Sequence, residues 1–280
     1  MLESALYIVP TPIGNLDDIT LRAIEVLKNA TLIAAEDTRH SKILLDKLGI
    51  RGTRMLSCHD HNEEQRSQVI IDEVKKGGIV ALISDAGSPL INDPGYRVVS
   101  ICAANNVKVV PLPGPCALIT ALEASALPTD RFMFNGFFPV KEKELTSEVE
   151  KLVGADYTAV FYETPRRISD TMKIVARILP EHDVTLCREM TKTFESFYRM
   201  KAREVPEFLA ADPDRTRGEF VVAIGALKDE RSDIDPKIRQ ALFDLMEHAP
   251  LKLVANVLSE LCGVKKNDLY NLGLEHKDKN

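Results

Sequence analysis

Short apolar runs rich in β-branched side chains alternate along this chain with longer stretches whose apolar residues recur every three or four positions. Leu6 to Val9, Leu32 to Ala35, Ile79 to Ile83 and Val107 to Val110 read as buried strands. Thr20 to Asn29, His40 to Leu48, Asn62 to Lys76 and Tyr96 to Asn105 read as amphipathic helices, with Thr20 and Asn62 as N-caps. A strand returned to its neighbour through a helix gives a parallel sheet covered on both faces, the doubly wound class. In that class ligands bind beyond the carboxyl ends of the strands, so the loops that follow the apolar runs are the places to look for chemistry.

The alternation is interrupted at Pro111-Leu112-Pro113-Gly114-Pro115, where three prolines and a glycine oppose regular structure, and it then resumes. Phe132 to Asn135, Thr158 to Tyr162, Val184 to Cys187 and Phe220 to Ile224 are the expected strands of this second series, with a helix over Arg166 to Ile178. Beyond Lys228 the pattern becomes purely helical: one stretch from Pro236 to Gly263, then a short helix from Val264. The expected division is 1–114, 115–228 and a helical appendage at 229–280, in keeping with a 280-residue chain.

Five scattered cysteines, an odd number with no C-x-x-C pair, argue for thiols in a reducing compartment and against a zinc site. Met1-Leu2-Glu3-Ser4 carries no basic leader, and no run approaches the roughly 18 apolar residues of a membrane span, so the expectation is a cytoplasmic protein without membrane attachment. The net charge of −6 means that a polyanionic partner would have to be met by a local basic surface. Residues 131–217 are the least unfavourable part, with 15 basic and 15 acidic side chains, against 12 and 16 in residues 1–130 and 9 and 11 in residues 218–280.

Neither a G-x-x-x-x-G-K-[ST] phosphate loop nor a G-x-G-x-x-G turn is present. The first strand instead enters Pro10-Thr11-Pro12-Ile13-Gly14, whose prolines remove backbone donors and suit a wall better than a phosphate cradle. Ile79 to Ile83 runs into Ser84-Asp85-Ala86-Gly87-Ser88-Pro89-Leu90-Ile91, where small residues let a ligand approach the backbone. Glu36 and Asp37 close the second apolar run, either facing the crevice or capping the next helix. Phe161-Tyr162-Glu163-Thr164-Pro165-Arg166-Arg167 and Leu186-Cys187-Arg188-Glu189-Met190-Thr191-Lys192 are two further strand ends that finish in mixed charge.

Taken in order, Tyr7 to Thr20, Ala35-Glu36-Asp37-Thr38-Arg39, Leu82 to Pro89, Phe161 to Arg167 and Arg188 to Lys192 closely resemble the bacterial ribosomal RNA small subunit methyltransferase I family. That family is an RNA-modifying branch of the tetrapyrrole methylases. The resemblance spans about residues 5–226, and the helical tail looks like the family's helix-turn-helix piece. It implies an α/β fold of two α/β domains with S-adenosylmethionine (SAM) in the cleft between them, plus a small C-terminal helical piece. It also implies a homodimer and 2′-O-methylation of a cytidine in the decoding region of 16S rRNA, within the small ribosomal subunit. The cofactor residues it implies are Pro12 and Ile13, then Ser84, Asp85, Ala86, Gly87, Ser88 and Ile91, and then Cys116 and Ala117. Tyr162, Glu163, Met190, Gly218 and Glu219 would close the opposite side.

By the same resemblance Glu36, with Asp37 second, stands where related enzymes place a base, and no metal is required. Arg39, Arg166, Arg167, Arg188 and Lys192 are the candidate phosphate contacts, with Arg199, Lys201, Arg203, Lys265 and Lys266 behind them. Three positions depart from the family pattern: Cys116 and Ala126 stand where serine and glycine are expected, and Ser196 follows Glu195 where a second glutamate is expected. A tetrapyrrole methylase acting on a small molecule, and a ribosome-binding protein without catalysis, remain alternative readings.

Overall fold

The computed structural model describes residues 2–227 and 234–279. The chain forms two compact units, 1–226 and 227–280, and the expected boundary between 228 and 229 lies outside the described residues. The first unit begins with β1 (Ala5–Ile8), α1 (Leu21–Asn29), β2 (Leu32–Ala35), α2 (Thr38–Lys47), β3 (Arg54–Ser57), α3 (Glu63–Lys75), β4 (Ile79–Ile83), α4 (Tyr96–Ala104) and β5 (Val109–Pro111). These strands make one parallel sheet in the order β3-β2-β4-β1-β5. Both faces are covered: Tyr7, Ile33 and Ala81 pack on one side, and Leu6, Leu32 and Val80 on the other. Residues of adjacent parity thus enter opposite cores, which is why these runs are apolar throughout and do not alternate. Each such fully buried aliphatic side chain contributes about 1.5–3 kcal/mol.

After the proline segment come α5 (Ala117–Ser125), β6 (Phe132–Phe137), α6 (Glu142–Glu150), β7 (Thr158–Glu163), α7 (Ile168–Ile178), β8 (Asp183–Arg188), β9 (Ser196–Lys201), α8 (Val205–Ala210) and β10 (Phe220–Ile224). The second sheet, β6-β7-β10-β8-β9, is mixed: only β6 and β7 are parallel, and the other neighbours are antiparallel. The doubly wound pattern therefore holds for the first sheet alone.

Two strands escape the sequence pattern. β3 and β9 are edge strands whose sequences, Arg-Met-Leu-Ser and Ser-Phe-Tyr-Arg-Met-Lys, interleave polar residues because one side meets solvent. The helix expected from His40 begins at Thr38, because the Asp37 carboxylate caps it by accepting from the Arg39 amide at 2.8 Å. Asn62 does not cap α3 with its side chain; its Oδ1 accepts from His59 N instead, at 2.9 Å.

The second unit contains α9 (Pro236–Met246), α10 (Leu251–Cys262) and α11 (Lys266–Lys279), packed around Leu242, Val254, Ala255, Leu258 and Leu269. The single helix expected over Pro236 to Gly263 is two helices, because Pro250 cannot continue a hydrogen-bonded turn and stands as N-cap of α10. Gly263, at φ +71°, ends α10 in the left-handed conformation, and the last helix is longer than the short one expected.

Ala126 ends α5 at φ +60°, ψ +23°, a left-handed position with its side chain exposed. A Cβ there is strained with no packing to offset it. Ala126→Gly is expected to stabilise the protein by about 0.5–1 kcal/mol, raising the thermal midpoint by roughly 1–4 °C in calorimetry. An unchanged or lower midpoint contradicts the strain.

Candidate active site

In the first sheet β1 and β4 are neighbours, so the loops that leave their carboxyl ends emerge side by side at the topological switch point. They are pinned together by a two-residue bridge, Thr11 N to Gly87 O and Gly87 N to Thr11 O, each 2.9 Å. The buried Thr11 hydroxyl adds a bond to Ser84 O at 3.2 Å. Gly87 sits at φ +82°, where a Cβ would stand 3.3 Å from Ile13 Cγ2. The Ser88 hydroxyl donates to Pro115 O at 3.0 Å and so ties this turn to the proline segment. The segment delivers Cys116 and Ala117 at the start of α5, where the N-cap makes no side-chain hydrogen bond.

The opposite wall comes from the second sheet. A cavity of about 580 Å³ lies between the two, within the usual range for small-molecule sites. From the first half it is lined by Ile13, Ala86, Gly87, Ser88 and Ile91, then by Cys116 and Ala117; from the second half by Tyr162, Glu163, Met190, Gly218 and Glu219. Asn92, Asp93, Phe137, Thr164, Pro165, Phe220 and Val221 complete the lining and were not among the site residues expected from the sequence.

A second cavity of about 330 Å³ shares only Ile13, Ala86 and Glu219 with the first. Pro12 and Asp85 face this second space and not the first. Ser84 lines neither; it is buried beneath the turn, with its hydroxyl 3.4 and 3.3 Å from the carbonyls of Ala86 and Gly87.

The halves are held at close range. A Cβ on Gly14 would come within 2.5 Å of Lys192 Cγ and 2.6 Å of Thr191 Oγ1, and Asn15 N donates to that hydroxyl at 3.1 Å. A Cβ on Gly218, at φ +88°, would collide with the Glu189 side chain. Leu90, Asn92, Glu189 and Thr191 all adopt positive φ in the loops around the cavities. Strain of this kind is retained where surrounding contacts over-determine the backbone, commonly at ligand sites.

The carboxylates divide into distinct roles. Asp37 is the helix cap and also pairs with Arg39 at 3.0 Å; bonds from the Arg39 side chain and amide hold its pKa down to about 2, so it is a poor base. Glu36 lies on neither cavity wall, but burial and then the charges of Asp93 and Asp85 push its pKa above the ordinary value. Asp93, on the wall of the larger cavity, is likewise raised by burial and then by Asp85 and Asp60. Asp85 is oriented by accepting from the Asp37 amide at 3.2 Å. Glu163 turns its side chain into the protein, accepting from Thr164 N and Thr171 Oγ1 and pairing with Arg167 at 2.7 Å.

Most of the candidate phosphate contacts are occupied internally. Arg167 also donates to Phe138 O, Arg188 donates to Arg217 O and Phe194 O, and Lys192 bridges Glu189 and Glu219. Arg199 braces the end of α5, Lys201 pairs with Asp183, and Arg203 with Glu181. Arg166 alone among the five first-rank cations is exposed and makes no hydrogen bond or ion pair with any described residue. No helix among the described residues is long and apolar enough to cross a membrane.

Comparison with known proteins accounts for this arrangement. Residues 5–206 match the family described as Tetrapyrrole (Corrin/Porphyrin) Methylases, and residues 232–277 match the RsmI C-terminal HTH domain. The ribosomal RNA small subunit methyltransferase I of Haemophilus influenzae is 46% identical over 281 residues, covering 99% of each chain. That of Pseudomonas aeruginosa is 40% identical over 282 residues, covering 100% of each. Among solved structures, a cobalt precorrin-4 methyltransferase superposes with a TM-score of 0.58 at 17% identity, over 79% of this chain and 95% of that one. A uroporphyrin-III C-methyltransferase from Thermus thermophilus, complexed with S-adenosyl homocysteine, gives 0.52 at 17% identity, over 79% and 97%. These two likenesses concern the fold. The two-sheet architecture, with a cavity between its halves, is thus joined to a full-length likeness, and the chain belongs to the ribosomal RNA small subunit methyltransferase I family of the tetrapyrrole methylases.

Proposed function

We propose that this protein transfers a methyl group from SAM to the 2′-hydroxyl of a cytidine in the decoding region of 16S rRNA. The observation that carries the reading is the likeness to rRNA methyltransferases along the entire chain, with a family match of its own in the C-terminal helices, where the tetrapyrrole methylase match does not reach. That favours RNA over a macrocyclic substrate. The resemblance to the family also carries a homodimer and a cytoplasmic location into the same reading.

The larger cavity suits SAM on physical grounds. Its wall presents small residues and backbone at Ala86 and Gly87, apolar surface at Ile13 and Met190, and the start of α5 at Cys116 and Ala117. SAM supplies a methyl already activated by its sulfonium centre. The chain's task is then to hold acceptor oxygen, methyl and sulfur in line, and positioning of this kind is worth roughly 7–11 kcal/mol. Glu36, which lines neither cavity, takes up the 2′-hydroxyl proton through one bridging water, and its raised pKa makes it a stronger base than an ordinary carboxylate. Burial and the fields of Asp93 and Asp85 are the causes of that basicity.

Calorimetric titration with SAM, and tritium-methyl transfer to small ribosomal subunits with uroporphyrinogen as the rival acceptor, test the reading. Binding together with ribosomal label is expected. Label on uroporphyrinogen, or no SAM binding, overturns it.

Of the five first-rank candidate cations, Arg166 is the one that no described residue engages, which leaves it free to meet a phosphate. Arg166→Glu is expected to weaken RNA binding across sequences and to reduce the magnitude of the log K against log salt slope by about 1. An unaltered slope moves the RNA surface elsewhere. Arg167 is unsuitable for the same test, because its reversal would set a like charge against the buried Glu163 carboxylate and disturb the fold.

A further inference from the structure

A second cavity shares part of its wall with the SAM site proposed above. We infer that it receives the acceptor nucleoside, unstacked from its strand, and that Asp85 reads the base. This rests on the rRNA reading above and adds to it the site and the residue that select the nucleotide.

Size comes first. About 330 Å³ is at the small end of ligand sites and has room for one nucleoside, not for a helical segment. Sequence-specific proteins reach RNA bases mostly where they are unpaired and can be splayed out. Wall chemistry comes second. Leu16, Ile43 and Leu44 form an apolar side on which a base can lie, and Ile43 is 58% exposed, a large aliphatic side chain left open to solvent on α2.

Asp85 is the third observation. Its Oδ1 accepts from the Asp37 amide at 3.2 Å, which orients the group, while Oδ2 has no hydrogen-bond partner among the described residues. An ionised carboxylate only accepts, so it favours a base edge with an exocyclic amine, as in cytosine, and repels the O4 of uracil.

Charge distribution fits the same occupant. Asp85 disfavours phosphate within the cavity, whereas Lys47 lies on its wall, exposed and without an ion pair among the described residues. The nucleoside enters and its phosphates stay outside. Ile13, Ala86 and Glu219, common to both cavities, mark where the sugar would approach the methyl.

The test uses the full-length protein and small subunits carrying either cytidine or uridine at the target position. Wild type is expected to favour cytidine by roughly 100-fold or more in kcat/KM, and Asp85→Asn, whose amide can donate to O4, to lower that ratio at least about tenfold. A general loss of rate from removing the charge beside Glu36 would affect both substrates alike and leave the ratio in place. Ile43→Ala, at an exposed position, is expected to raise KM for the subunit about three-fold or more while SAM affinity, read by calorimetry, stays within two-fold. An unchanged cytidine-to-uridine ratio in Asp85→Asn, or an unchanged KM in Ile43→Ala, overturns the assignment. If wild type labels no RNA at all, it is the proposed function that falls.

Discussion

Gly87→Val is expected to abolish SAM binding, with a loss of affinity of roughly 100-fold or more, equivalent to about 2.7 kcal/mol. Two effects act together. The residue occupies φ +82°, where an L side chain costs about 1–2 kcal/mol and a β-branched one more. Its first carbon would also meet Ile13 Cγ2 at 3.3 Å, and the two further methyl groups of valine must go into the cavity or against Pro115 O, which lies 3.8 Å from the Cβ position. The bridge to Thr11 holds this turn from the other side, so it cannot retreat without breaking two hydrogen bonds. Calorimetry measures the affinity, and circular dichroism verifies that the variant folds. Normal affinity in a folded variant would place the cofactor away from this turn.

Glu36→Gln is expected to reduce turnover by roughly 10² to 10⁴ while SAM affinity stays within about three-fold. The pH profile adds a check that a structural role would not meet. Glu36 has a pKa raised by burial and by the charges of Asp93 and Asp85, so activity should fall as pH drops through a value above that of an ordinary glutamate. The stability effect has the opposite sign to that of a paired carboxylate. A group whose folded pKa exceeds its unfolded pKa destabilises the fold when ionised, and that cost is relieved as pH falls through the folded value. Near pH 7 to 8 the glutamine variant should therefore be at least as stable as the wild type, though nearly inactive. Full turnover in Glu36→Gln would remove it as the base. Asp93, which faces the larger cavity and shares the same field, would then be the group to replace next.

Loop composition made much of the site legible. Gly87 and Ala86 are small where backbone must approach a ligand, and the loops after β1 and β4 stand out because they follow buried strands directly. Other residues carried no such signal. Phe137, Phe220 and Val221 look like ordinary strand residues, and only the meeting of two sheets turns them toward a cavity. Asp93 gave no sign of a perturbed pKa, because its shift arises from burial and from Asp85 and Asp60, brought close by the ends of β3 and β4.

The candidate cations are mostly partnered within the protein. Arg167, Arg188 and Lys192 are indistinguishable in sequence from free phosphate contacts, and they are occupied because a buried carboxylate or an open carbonyl lies within reach. Asp37 differs from Glu36 only through helix α2, whose first turn claims its oxygens. Glu163, Glu189 and Arg39 are near neighbours in the chain of the residues they engage, whereas Arg217 and Glu219 lie 29 and 27 residues from Arg188 and Lys192, a proximity that spacing along the chain does not encode.

By itself the amino-acid sequence determined the two strand-bearing halves, the parallel first sheet, the break at the proline segment and the helical end. Hydrophobic period and proline chemistry act over a few residues and can be read locally. The antiparallel half of the second sheet, the separation into two cavities, and which carboxylate is capped and which is left basic were decided only in three dimensions. Desolvation and charge-charge interaction depend on distances that folding creates between loops far apart in the chain.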